Sequence, residues 1–165
     1  MLFLSQADRG AKARREIVPS MAQLCRNVIS YYESVLEESN LTCSVNGEHA
    51  GMYDAPLVQR ALSNLLSNAA RYAKQGTEVV INIQHDTAGC LRLSVENYGP
   101  QISQQDLPNI FDRFFRTDPA RTRSGQNHGL GLAIVRAIAT MHDGYSFATS
   151  RDGFTEIGLC LNSQS

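Results

Sequence analysis

The sequence predicts an α+β fold, a two-layer sandwich in which one mixed, mostly antiparallel sheet is covered by helices on one face. Three observations carry that expectation. Val79, Ile81 and Ile83 recur at every second position, and Leu91, Leu93 and Val95 alternate with polar neighbours, which is the period of two of a half-buried strand. Residues 57–72 instead repeat their apolar positions with the period of a helix. Helical and strand segments then follow one another in mixed order, which suits helices laid against one side of a sheet.

Composition bounds the rest. A chain of 165 residues with 42% hydrophobic content can bury one real core. A net charge of −1 gives no sign of a nucleic-acid surface. Cys25, Cys43, Cys90 and Cys160 lie far apart with no C-x-x-C pair, so four reduced thiols are expected. No apolar run approaches the roughly 20 residues of a membrane span. The opening "MLFL" is too short for a signal peptide.

Residues 1–9 fit the last turns of an apolar helix, and the charged residues from Lys12 to Glu16 read as a linker. From Pro19 to about Asn40 the spacing of Met21, Leu24, Val28, Tyr31, Val35 and Leu36 is helical. "LTCSV" and "HAGMY" are two strand candidates separated by the Asn46-Gly47 turn signal. Asp54 can cap the next helix, with Pro56 tolerated in its first turn and Gly76 stopping it after about Lys74. "TEVVINIQH" and "CLRLSVEN" follow as two strands, then a short helical piece near Gln104–Phe111. The polar stretch "TDPARTRSGQNH" has no periodicity. "GLGLAIVRAIATMHDG" is a helix opened by glycines and closed by Gly144, and "SFATSRDGFTEIGLCL" is a hairpin.

On a wheel of roughly 100° per residue, Leu57, Ala61, Leu62, Leu65, Leu66, Ala69 and Tyr72 fill about half the circle of the 57–72 helix. Asn68 falls inside that arc, and Asn64 and Arg71 lie on its edge, a polar stripe at i, i+4 and i+7. A half-buried Asn needs partners. Either a neighbouring loop satisfies Asn68, or its carbonyl oxygen ligates Mg²⁺, an ion that takes few protein ligands beside substrate phosphates. Arg71 would then reach phosphate oxygens with its forked guanidinium. Gly129 and Gly131 open a later helix, where free N–H groups and the dipole favour an anion. The loop carrying Arg121 and Arg123 before them is either a lid over phosphates or a solvated connection.

"NLLSNAARYA", "VENYGPQI", "FDRFFRTDPAR" and "GLGLAIV", in that order, closely resemble the N, G1, F and G2 boxes of bacterial sensor histidine kinases, the ATP-binding domains of the GHKL (Bergerat) fold. The resemblance covers roughly residues 50–162, and "LFLSQAD" resembles the end of the dimerisation helix before that domain. It divides the chain into a remnant of that helix and its linker at 1–15 and a catalytic domain at 16–165. "LPNIFDRFFRTDPAR" is most similar to the heavy-metal (copper or silver) sensors of the family.

The resemblance implies ATP and Mg²⁺ as ligands. Asn68 is implied as the Mg²⁺ ligand, Asn64 near the triphosphate, Arg71 on the phosphates and Tyr72 against the nucleotide. Arg116 matches the F-box arginine near the γ-phosphate; with Asn64, Asn68 and Arg71 it makes the implied catalytic set. Gly129 and Gly131 match the phosphate-facing glycines, flanked by Leu130 and Leu132. Asn97, Gly99, Ile102 and Phe115 complete the nucleotide contacts. Thr155 matches a strand Thr near adenine, with Phe154 the neighbouring alternative.

Two departures stand out. The G1 pattern D-x-G-x-G is here Asn97-Tyr98-Gly99-Pro100-Gln101, and the first glycine of G2 is Asn127. The Asn97 carbonyl can still accept a bond from the adenine amino group. A neutral hydrogen bond contributes nearer 1 kcal/mol against about 1.5–3 for a charged one, so ATP binding about tenfold weaker than with Asp is expected. Gln101, in place of the second glycine, has no explanation in the sequence.

The family moves the γ-phosphoryl group of Mg·ATP to a histidine on a dimerisation domain and then to a response regulator. His49, His85, His128 and His142 all lack the H-[ED]-x-x-x-P setting of that acceptor. The resemblance therefore implies a catalytic domain that acts on its own dimerisation domain, absent from this chain. The full-length protein would be a homodimer at the inner membrane with this domain in the cytoplasm, and the fragment a monomer. Two alternatives are a stand-alone GHKL serine kinase of the anti-sigma type and a docking module that has lost nucleotide.

Overall fold

Residues 2–115 and 130–163 are described by the structure, a computed structural model. In chain order the elements are α1 (Leu2–Asp8), β1 (Glu16–Val18), α2 (Met21–Tyr31), α3 (Glu33–Glu38), β2 (Thr42–Asn46), β3 (Gly51–Tyr53), α4 (Ala55–Tyr72), β4 (Glu78–His85), β5 (Cys90–Tyr98), α5 (Gly131–Met141), β6 (Tyr145–Arg151) and β7 (Phe154–Asn162). Five strands form one sheet in the order β2-β4-β5-β7-β6; β2 runs parallel to β4 and the other neighbours are antiparallel. The expected mixed, mostly antiparallel sheet is thus present.

Strand alternation decides which face is covered. Val79, Ile81 and Ile83 of β4, Leu91, Leu93 and Val95 of β5, and Ile157, Leu159 and Leu161 of β7 are buried. They form one core with Leu62, Leu65 and Leu66 of α4, Val135 and Ile138 of α5, and Leu24 and Val28 of α2. The opposite face is polar. Glu96 and Glu156 stand directly across from each other there, Glu96 accepting from Asn82 and Glu156 from Ser94. Among the described residues no helix is long and apolar enough to cross a membrane.

Several local expectations change. The predicted helix from Pro19 to Asn40 is two helices, broken at Tyr32 (φ −107°, ψ 8°). Apolar spacing continues across the break, so periodicity alone could not see it. "LTCSV" and "HAGMY" do not pair with each other: β2 joins β4, while β3 pairs with β1, a short strand at the end of the supposed linker that no reading of the sequence singled out. Gly47 lies at φ 109°, where a side chain would strike the Ile83 carbonyl oxygen. α4 starts as expected, Asp54 Oδ1 accepting from the Leu57 N–H at 3.3 Å, but ends at Tyr72 because Ala73 is extended. The helical piece near 104–111 is one 3₁₀ turn at Leu107–Asn109. The C-terminal hairpin is as predicted, turning on Asp152 (φ 55°) and Gly153 (φ 75°).

The expectation of four free thiols is corrected. Cys90 and Cys160 are disulfide-bonded across β5 and β7, with Cα atoms 5.9 Å apart, while Cys25 and Cys43 are free. The two sit 70 residues apart in sequence, and only the strand register brings them together. Burial pushes the Cys25 and Cys43 thiols up to about 12.

A polar knot ties the first residues to the domain. His142, at the end of α5, is wholly buried. Its Nδ1 donates to the Ile138 carbonyl at 2.9 Å, leaving Nε2 to accept from the Asp54 N–H at 3.1 Å. Asp54 Oδ2 accepts from the Arg14 N–H, and the Arg15 guanidinium donates to the carbonyls of Met52, Asn162 and His142. α1 packs beside α5 with Leu4 buried, Asp8 ion-paired to Arg113 at 2.6 Å and Phe3 beneath the Arg60 guanidinium. His49 and His85 stack at 4.3 Å between ring centroids.

Candidate nucleotide site

The polar stripe of α4 faces the start of α5. Among the described residues, Asn64 Nδ2 is buried without any hydrogen-bond partner. A Cβ on Gly131, the first residue of α5, would come to 3.9 Å from the Asn64 amide. Leu130 occupies the N-cap of α5 and offers no side-chain bond. The first-turn N–H groups therefore have neither intrahelical acceptors nor, among the described residues, a side-chain cap. An orphaned amide beside an uncapped helix start is an arrangement that an anion completes, with the N–H dipoles aimed at it. Asn68 and Arg71 continue the stripe, both half-buried, and the apolar face is centred on Val58, Ala61, Leu62, Leu65 and Leu66.

The second half of the site lies at the ends of β5 and β7. Asn97 and Thr155 are cross-strand partners, only 6% and 5% exposed. Asn97 Nδ2 donates to the Tyr98 carbonyl at 3.2 Å, and its Oδ1 takes no hydrogen bond from any described residue. That oxygen is an acceptor that can take a donor, as the amino group of a base would supply. Thr155 Oγ1 shares a 2.8 Å hydrogen bond with Ser150 Oγ, which also accepts from the Ile102 N–H at 2.9 Å. Gly99 is required: a side chain there would strike the Tyr72 carbonyl oxygen. Half-buried Ile102, Phe115 and Leu132 pack at the core's edge.

Of the predicted residues, the structure gathers Asn64 and Gly131 at one point and Asn97, Ile102 and Thr155 at another. Arg71, Tyr72 and Gly99 line an open pocket of about 790 Å³ with Lys74, Tyr98, Pro100, Asp152 and Gly153. That pocket does not take in Asn64, Asn68, Asn97 or Thr155, so hydrogen-bonding capacity is the better guide to the site than concavity. Arg116 and Gly129, with Asn127, His128 and the polar loop, lie outside the described residues. Ser150 is the functional candidate that sequence reading missed. The Asp152-Gly153 turn held the signal, since a two-residue hairpin loop opposes position 150 to position 155. Among the described residues no group of three or more His, Cys, Asp or Glu is arranged for a metal. A cation here would rest on the Asn68 amide oxygen and on ligand phosphates.

Comparison with known proteins agrees with this fold. Residues 53–164 match the family model described as histidine kinase-, DNA gyrase B-, and HSP90-like ATPase. The sensor histidine kinase CusS of Escherichia coli O6:H1 is 38% identical over 151 residues, covering 91% of this chain and 31% of that protein. The sensor protein CopS of Pseudomonas syringae pv. tomato is 42% identical over 150 residues, covering 86% and 29%. The chain thus spans about a third of these relatives. Among solved structures, the histidine kinase AdeS of Acinetobacter baumannii superposes with a TM-score of 0.82 at 20% identity, covering 99% of this chain and 75% of that one.

Proposed function

Because the chain belongs to the histidine kinase-, DNA gyrase B-, and HSP90-like ATPase family, we propose that it is the ATP-binding catalytic domain of a two-component sensor histidine kinase. It binds Mg·ATP and donates the γ-phosphoryl group to a histidine on a separate dimerisation domain. The observation that carries this reading is the orphaned Asn64 amide facing the uncapped start of α5.

Phosphoryl transfer relies on position and charge neutralisation. Magnesium, when bound, supplies neutralisation of the phosphate oxygens. Asn68 would hold it through its amide oxygen, Asn64 would donate to a phosphate oxygen, and Arg71 and Arg116 would add positive charge. At the other end, Asn97 Oδ1 accepts from the adenine amino group, with Tyr72, Ile102, Leu130 and Leu132 against the base. Thr155 lies beneath it.

Residues 1–15 read as the end of the dimerisation helix and its linker, and 16–165 as the domain proper. The response regulator takes the phosphoryl group next. A homodimeric, membrane-anchored full-length protein with this domain in the cytoplasm follows from the likeness to the sensor kinases. The resemblance to heavy-metal sensors makes copper or silver the proposed stimulus.

Calorimetric titration of ATP with and without Mg²⁺ tests the site: Asn68→Ala is expected to lose the Mg²⁺-dependent part. Labelled ATP mixed with this chain and a separately made dimerisation domain tests the reaction. Histidine-linked label supports the proposal; label on serine of an anti-anti-sigma protein, or no ATP binding at all, overturns it.

A further inference from the structure

Gln101 stands where the family pattern has a glycine, and its side chain has a definite partner. Its Oε1 accepts from the Asp152 N–H at 3.1 Å. Asp152 is the first loop residue of the β6–β7 hairpin and sits at φ 55°, so its N–H points away from the ladder that Arg151 and Phe154 close. Three further bonds join the same two segments. The Gly99 N–H donates to the Gly153 carbonyl at 2.8 Å, the Ile102 N–H to Ser150 Oγ at 2.9 Å, and Gln104 Nε2 to the Ser150 carbonyl at 3.4 Å. Gln101 is the middle lace of this seam, between Gly99 and Ile102. Without it Pro100, which has no N–H, and residue 101 would cross to Ile102 untied.

We infer that Gln101 is a positioning residue for the nucleotide base: it fastens loop 99–104 to the β6–β7 turn and so fixes Ile102 against the Asn97–Thr155 floor. The inference rests on the nucleotide-site reading above. Gln101 is exposed, and removing its amide opens no core. Its contribution is to order the slot's wall before a ligand arrives, which lowers the ordering cost of binding.

The test uses Gln101→Met, which keeps the length and removes the acceptor, and Gln101→Glu, which keeps an acceptor. ADP is titrated calorimetrically and adenosine by NMR shifts, with unliganded thermal midpoints alongside. For a net hydrogen bond near 1 kcal/mol, Gln101→Met is expected to weaken ADP and adenosine alike, on the order of fivefold. The midpoint should fall by no more than about 2–4 °C, Gln101→Glu should restore affinity, and the Asp152 amide should exchange faster in Gln101→Met. The inference fails if Gln101→Met binds both ligands as wild type does, if only ADP weakens, or if the midpoint falls by far more than one lost hydrogen bond accounts for. Wild-type protein that binds neither ligand would sink the nucleotide reading itself, an outcome distinct from equal binding by wild type and variant.

Discussion

The backbone N–H of Asp54 donates to Nε2 of His142 across 88 residues of sequence, joining the start of α4 to the end of α5 inside the core. The bond requires a neutral imidazole, because Nδ1 is already donating to Ile138 and a proton on Nε2 would oppose the Asp54 N–H. Burial accordingly holds the His142 pKa below the ordinary histidine value.

Stability should therefore depend on pH around that group. The unfolded chain binds the proton first, near pH 6.5, so stability is complete above that value. It falls as pH drops from there toward the depressed folded pKa. His49 is shifted the same way, by burial and by its neighbour His85. Urea unfolding between pH 5 and 8 should show the slope, and His142→Gln should reduce it while costing about 1–3 kcal/mol at neutral pH. A slope left unchanged in His142→Gln would assign it to other groups.

Asn64 sets ligand binding against stability. Its buried, unpartnered amide costs about 1–3 kcal/mol, so Asn64→Leu, similar in volume, should raise the unliganded thermal midpoint. The same variant should lose most ATP affinity. A lower midpoint with intact ATP binding would contradict both halves.

Asn97 should favour ATP over GTP. Its amide nitrogen is held by the Tyr98 carbonyl, which leaves the oxygen as the acceptor offered to a base. It would meet the amino group of adenine favourably and the carbonyl oxygen of guanine unfavourably. Asn97→Asp is expected to bind ATP about tenfold more tightly but to lower the thermal midpoint, because a carboxylate oxygen then faces the Tyr98 oxygen. Calorimetry with both nucleotides, and a melt of each protein, check the two effects.

Thiol counting tests the cross-strand bond. Denatured, unreduced protein should show two reactive thiols, and four after reduction. In the folded state Cys25 and Cys43 should label slowly at neutral pH, since burial raises both. By loop length, reduction should cost up to about 4 kcal/mol of stability, measurable by unfolding with and without reductant.

The sequence was a good guide wherever the cause was local. α4 showed its face and its Asp54 cap because both lie within a few residues of each other. The β6–β7 hairpin was legible from Asp152-Gly153 and alternation alone. What escaped was decided at a distance: the parallel union of β2 with β4, the β1–β3 pair, the Cys90–Cys160 bond and the position of Ser150 under Ile102. The polar stripe of α4 was visible, but which amide is orphaned depends on Gly131, 67 residues beyond Asn64. Gln101 had no explanation in the sequence because its partner, Asp152, lies in the β6–β7 turn, 51 residues away.

Strands β5 and β7 carry the disulfide at one end and the Asn97–Thr155 slot at the other, with Cys90 and Asn97 seven residues apart. At about 3.4 Å per residue that separates the two by roughly 24 Å of continuous ladder. Oxidation and reduction act on the far end of a stiff ladder whose near end carries the Asn97–Thr155 pair. Reduction of this chain is therefore expected to lower the stability of the domain and to leave the Asn97–Thr155 pair in place.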